Sequence, residues 1–226
     1  MNKGMKAIPR EPRRITYSSE IRKLKTIPLT KYQREIVIGS VLGDGYLVPN
    51  WSKTHYALRV TRSEKQKEYA DWQYENLKPF ALKPPRWYER NHSYTIGTIS
   101  HSEISKLYSI FYPKGKKIVP KEIKSLLTDP ISLAVWYMDD GTLDFRERYH
   151  CNAMIATYGF SFSDCKLLVN TLHDNFDIKS IVTVCTMRGI KYPRLYVWAK
   201  DSIRFLNLIE PYILPCMEHK IVKCNL

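Results

Sequence analysis

Two aspartates sit where folding alone gives little reason for a carboxylate. Asp44 closes the apolar run Val37-Ile38-Gly39-Ser40-Val41-Leu42-Gly43, Asp140 closes Leu133-Ala134-Val135-Trp136-Tyr137-Met138-Asp139, and a glycine follows each acid. Both runs have helical character, so each acid faces the negative end of a macrodipole and a set of unpaired carbonyls, an arrangement that costs about 0.3–1 kcal/mol at exposed sites. A divalent cation reverses that sign, because carboxylate and carbonyl oxygens are the hard ligands magnesium takes beside water and phosphate. One Asp-Gly would pass for a turn. Two copies predict a pair of metal-binding acids.

The charge balance supplies the partner. With 36 Lys+Arg against 22 Asp+Glu, the 226-residue chain carries +14, a field that favours a polyanion. Phosphodiester oxygens are then natural neighbours for a metal that activates water and stabilises a leaving oxygen, and hydrolysis of a nucleic-acid backbone is the expected chemistry. A membrane is the weaker partner, since no run approaches the ~20 apolar residues of a spanning helix. The N-terminus has basic residues but no apolar core or cleavage site of a secretion signal. Cys151, Cys165, Cys185, Cys216 and Cys224 are odd in number and lack CxxC spacing, which suits reduced thiols in a cytoplasm or an organellar matrix. Cys216, His219 and Cys224 come nearest to a metal cluster, but three ligands at irregular spacing make a poor structural zinc site.

Elements must bring the acids together. Residues 1–28 form a basic stretch of net +6, broken by Pro9, Pro12 and Pro28, that reads equally as a solvated leader or as an arm along phosphates. Thr30 is a plausible cap for a helix through Tyr32, Ile36, Val37, Val41 and Leu42 that stops at Gly43-Asp44-Gly45. In residues 55–62 the even positions are mostly apolar while Arg59 and Thr61 share the other face, as in a half-buried strand. Ser63-Glu64 then opens a helix through Tyr69, Trp72 and Leu77. Residues 86–90 and 94–99 form a hairpin candidate around Asn91-His92-Ser93, and Ser102 starts a helix through Ile104, Leu107 and Phe111.

After Lys114-Gly115-Lys116-Lys117 the order repeats. Asp129-Pro130 caps a helix from Ile131 to Met138, residues 152–159 are strand-like, and a helix runs from Ser163 through Leu172. Strands follow near 181–187 and 192–198, and Asp201-Ser202 starts a last helix. Corresponding acids lie 96 residues apart and Lys117 and Lys220 lie 103 apart, a drift that loop-length differences between two copies would produce. Each motif helix is apolar nearly all round, so its best burial is against the other at a pseudo-twofold axis, where Gly39 and Gly43 permit close approach.

At this point the residues resemble a known family. Val37 to Gly45 and Leu133 to Gly141 are similar to the two signature helices of single-chain LAGLIDADG homing endonucleases, and the likeness extends over residues 30–226. It implies an α+β fold of two pseudo-symmetric αββαββα-like subdomains, here 29–118 and 119–226, whose antiparallel sheets form a DNA-binding saddle. It also implies a monomer that makes site-specific double-strand breaks in a long DNA target, leaving short 3′ overhangs, with two or three magnesium ions. Manganese is expected to substitute and calcium to support binding alone. The acid before the last glycine is the expected metal ligand, which assigns Asp44 and Asp140 and leaves Asp139 as a neighbour, with Gly43 and Asp139 entered beside them as further candidate ligands. Lys117, in Gly115 to Pro120, and Lys220, in Leu214 to Lys220, match the basic residues the family places beside its metals. Ser40 replaces an apolar motif position and Val135 a glycine, so a looser helix interface is expected.

If the sheets lie in the major groove, as the resemblance implies, Arg59, Arg62, Arg86, Tyr88, Arg90, Arg188, Arg194, Tyr196 and Trp198 are candidate DNA contacts, since arginine pairs bidentately with guanine edges. Two alternatives remain. Tyr137-Met138-Asp139-Asp140 looks like the YMDD box of reverse transcriptases, a four-residue match with no second acidic motif on a separate strand. Some members of the resembled family act instead as intron RNA maturases on the same basic scaffold.

Overall fold

The computed structural model describes residues 18–146 and 150–221. After a short helix α1 (Ser19–Leu24), the first half runs α2 (Lys31–Leu42), β1 (Tyr46–Pro49), β2 (Tyr56–Ser63), α3 (Lys67–Asn76), β3 (Arg86–Tyr88), β4 (Ser93–Gly97) and α4 (Ser102–Phe111). The second half runs α5 (Ile123–Leu126), α6 (Pro130–Asp140), β5 (Gly141–Arg146), β6 (His150–Ala156), α7 (Phe162–Phe176), β7 (Ser180–Met187), β8 (Ile190–Val197) and α8 (Ala199–Ile209). The strands build two four-stranded antiparallel sheets of the same topology, β1-β2-β4-β3 and β5-β6-β8-β7. The duplication read from the sequence is therefore a duplication of architecture, in the α+β class.

The motif helices α2 and α6 pack against each other in the centre. Thr30 starts α2 with a reciprocal capping box to Gln33, and Asp129 caps α6 ahead of Pro130, so both begin where orphan amides need acceptors. Ile36, Val37, Ile38, Val41 and Leu42 of α2 and Leu133 to Met138 of α6 are buried, which explains why neither helix has a polar face. A Cβ on Gly39 would lie 2.5 Å from the Ser132 carbonyl oxygen and 2.8 Å from Val135 Cβ. Gly39 is thus the hole that receives Val135. The looser interface expected from Val135 and Ser40 is corrected: Val135 fills space Gly39 leaves, and the buried Ser40 hydroxyl accepts from Gln73 Nε2 at 3.1 Å. Helices α3 and α4 pack on the first sheet and α7 and α8 on the second.

Several boundaries differ from expectation. β1 and β5 follow the motif acids, as the implied αββαββα order requires, but no residue alternation marks them; their identity depends on pairing with β2 and β6. β6 begins at His150 and ends at Ala156, two residues earlier at its start and three at its end than expected. β3 ends at Tyr88, and Arg90 lies in the 3-10 turn Glu89–Asn91. α7 is capped by Ser161, whose box with Asp164 repeats that of Ser63 with Gln66. Part of the basic stretch is also folded: α1 buries Ile21, and His101 Nε2 donates to the Ile27 carbonyl at 2.9 Å. Residues 1–17 and Cys224 lie outside the described residues.

Candidate catalytic centre and nucleic-acid interface

The ends of α2 and α6 place three carboxylates in one charge cluster, but they are not equivalent. The Asp139 side chain is completely buried and is gripped from three sides: the Asp44 backbone N–H donates to its Oδ2 at 2.9 Å, the Tyr69 hydroxyl donates to its Oδ1 at 2.9 Å, and Arg62 Nη2 lies 2.7 Å from Oδ1. Arg62 also donates from Nη1 to Asp44 Oδ2 at 2.8 Å and from Nε to Gln73 Oε1 at 3.2 Å. Burial pushes the Asp139 carboxyl up, and Arg62 opposes that most strongly. Asp139 is therefore corrected from candidate metal ligand to internal counter-ion. Arg62 is corrected from DNA contact to core cation, since its side chain is wholly inaccessible. Strand parity carried the signal: position 62 belongs with the inward Leu58 and Val60, opposite the exposed Arg59. Tyr69, Gln73 and Ser40 complete this network; Ser40 stood out as a polar residue in an apolar run, while nothing in local spacing marks Tyr69 or Gln73 as its partners.

The lysines occupy equivalent places. Lys117 Nζ donates to the carbonyls of Val41, Gly43 and Gly45 at 2.8, 2.8 and 3.2 Å, and Lys220 Nζ donates to those of Met138 and Asp139 at 2.7 and 3.2 Å. Each closes the C-terminus of one motif helix, where a cation is favoured. Burial lowers the pKa of both, against the opposing pull of Asp44, Asp139 and Asp140. The Gly43 carbonyl, expected as a metal ligand, is engaged by Lys117. A Cβ at Gly43 would collide with the Asp139 carboxylate, so this glycine is needed for space.

Asp44 and Asp140 are left as the pair that could hold an ion. Burial, then the charges of Asp44 and Asp139, push the Asp140 carboxyl up to about 7, despite Lys117 and Lys220. A carboxylate so short of positive charge suits a hard divalent cation. Among the described residues no group of three or more His, Cys, Asp or Glu side chains could hold a metal by itself.

The two sheets carry the remaining predicted contacts. Arg59 is exposed on β2 opposite Tyr46 and Gly97, and Arg86 and Tyr88 are exposed on the edge strand β3, the Arg86 guanidinium 4.9 Å from the Tyr88 ring centre. Arg194 and Tyr196 are half-buried on one face of β8, register partners of Thr183 and Ile181. Arg188 is exposed in the β7–β8 turn with φ 50°, followed by Gly189 at φ 78°. Trp198 is exposed but lies one residue beyond β8, at the N-cap of α8, so within the strand the face is carried by Tyr192, Arg194 and Tyr196.

A duplicated α+β fold with paired acids at the ends of two abutting helices, flanked by two basic-faced sheets, defines the class. The chain belongs to the LAGLIDADG DNA endonuclease family, whose model matches residues 34–205. It is 30% identical over 204 residues to the probable intron-encoded endonuclease 1 of Wickerhamomyces canadensis, covering 86% of this chain and 85% of that one. It is 26% identical to the DNA endonuclease I-ChuI of Chlamydomonas applanata over 87% of this chain and 97% of that protein. It is also 26% identical to the cytochrome b mRNA maturase bI2 of Saccharomyces cerevisiae, of which it spans 48%. Among solved structures, the homing endonuclease I-WcaI bound to its DNA recognition sequence superposes with a TM-score of 0.78 at 26% identity, covering 91% of this chain and 93% of that one. I-DmoI in complex with DNA and Mn shares the fold, with a TM-score of 0.51 at 13% identity over 79% of this chain and 96% of that one.

Proposed function

We propose that this protein is a site-specific homing endonuclease that makes a double-strand break in a long duplex target, leaving short 3′ overhangs. The observation that carries the reading is the meeting of Asp44 and Asp140 at the ends of α2 and α6, with burial and mutual repulsion holding Asp140 near neutrality. Asp44 and Asp140 are the residues to hold magnesium, which when bound supplies an activated water and charge stabilisation at the leaving oxygen. Lys117 and Lys220 hold positive charge against the same carboxylates, which supports a role in offsetting charge growing on the scissile phosphate. Arg59, Arg86, Tyr88, Arg194 and Tyr196 on the strands, with Arg90 and Arg188 in the turns, bind the duplex on both sides, the arginines reading guanine edges or contacting phosphates.

Because both acids belong to one chain, the active unit is a single chain. Its thiols suit a reducing cytoplasm or organellar matrix. Manganese is expected to replace magnesium, and calcium to support binding without cleavage. Selection of cleaved molecules from a randomised duplex library with magnesium tests the reading: recovery of one long preferred sequence supports it. The likeness to an mRNA maturase motivates a second reading, in which the basic scaffold binds intron RNA. If every duplex survives while folding of a structured intron RNA is accelerated, that second reading replaces the first.

A further inference from the structure

The two acids differ in how they are held. Asp44 is fixed at both ends, its carboxylate by Arg62 Nη1 at 2.8 Å and its backbone N–H by Asp139 Oδ2 at 2.9 Å. Asp139 comes from the opposite motif helix, and it stands at the position in α6 that Gly43 occupies at the end of α2. Its carboxylate reaches across the helix interface into the space a side chain at Gly43 would take. Arg62 is fully buried, its guanidinium 4.2 Å from the Tyr69 ring centre, and is held by Gln73, which in turn donates to Ser40 on α2. Asp140 has no equivalent support. Among the described residues its charged neighbours are Asp44, Asp139 and the two lysines, and its carboxylate makes no hydrogen bond or ion pair.

We infer that Arg62, Asp139 and Tyr69 are positioning residues for Asp44 alone, a one-sided clamp that makes the two cleavage centres unequal. The inference rests on the nuclease reading above. A carboxylate whose oxygen and backbone are both fixed is pre-organised, whereas one without hydrogen-bonded support must be ordered when it is used, and small misplacements of a catalytic group cost rate steeply. Loosening the clamp therefore degrades the Asp44 centre before the Asp140 centre. A purely structural role would instead slow both strands together.

The test follows scission of each strand of an end-labelled duplex target, and of a supercoiled plasmid carrying it, under single-turnover conditions with magnesium. Arg62→Lys keeps the charge but cannot bridge Asp44 and Asp139 with a planar fork. It is expected to slow one strand about tenfold more than the other, so that nicked plasmid accumulates. Tyr69→Phe removes the hydroxyl that meets Asp139 Oδ1 at 2.9 Å and the Val135 carbonyl at 3.2 Å, and keeps the ring under Arg62. It is expected to fold like the wild type and to slow the same strand in the same direction, by about threefold. Equal slowing of both strands in Tyr69→Phe, or opposite strand biases in the two variants, overturns the clamp while leaving the nuclease reading intact. A wild-type protein that binds the duplex in calcium but cuts neither strand in magnesium overturns both.

Discussion

At the scale of single residues, the three clustered acids differ in setting: the Asp139 side chain is buried against Arg62 and Tyr69, while Asp44 and Asp140 are the proposed metal ligands. On the proposed reading, in which each acid would hold metal and not bases, Asp44→Asn or Asp140→Asn is expected to abolish double-strand cleavage while leaving duplex affinity in calcium within about threefold. Binding isotherms beside cleavage rates check this, and wild-type cleavage in either variant would sink the assignment. Asp140 also carries a stability cost with a definite pH sign. Its folded pKa of about 7 lies above the ordinary value of 3.8, so the folded state holds the proton more tightly, and stability is lost as pH rises from the unfolded pKa through the folded one. Without divalent cation, Asp140→Asn should therefore melt above the wild type at pH 8 and level with it near pH 4, the difference reaching at most about 4 kcal/mol. A wild type that is the more stable at pH 8 in chelator would contradict the burial argument.

At the scale of elements, the pairing of α2 with α6 and the placement of β2 decide the centre. The Ser132 carbonyl beside Gly39 belongs to backbone that cannot swing aside, so Gly39→Ala should cost about 1–3 kcal/mol in urea unfolding by overpacking the interface. Arg62→Met should cost more, about 3–5 kcal/mol, because it strands the buried Asp139 charge without its cation. An Arg62→Met protein of wild-type stability with selectively weakened DNA binding would return Arg62 to the sheet surface. Arg62 shows two rules in conflict: basic residues are expected outside, yet position 62 is inward by strand parity, and only a buried partner resolves this.

At the scale of the whole molecule, a net charge of +14, of which +6 lies in residues 1–28, accompanies two sheets of one topology and favours a polyanionic partner. Log affinity for target duplex should fall linearly with log salt, by roughly 0.9 for each phosphate neutralised. A titration across salt concentrations measures this, and a flat response would mean that the sheets do not follow the backbone. Arg59→Ala and Arg86→Ala should lower that slope or relax base preference at single positions, according to whether each side chain meets phosphate or base.

The α+β class followed from the family resemblance of the motif helices, while the sequence by itself determined the two apolar helices, their terminal acids, the duplication and the sign of the partner's charge. These properties rest on local periodicity, capping chemistry and composition, which survive without knowledge of distant contacts. Tertiary structure alone decided that Arg62 turns inward, that Asp139 crosses to hold the amide of a residue 95 positions away, and that Lys117 and Lys220 close the ends of the motif helices. Each depends on which faces of separate elements meet. The energy of a buried charge is set by its neighbours in space, and spacing along the chain does not record them.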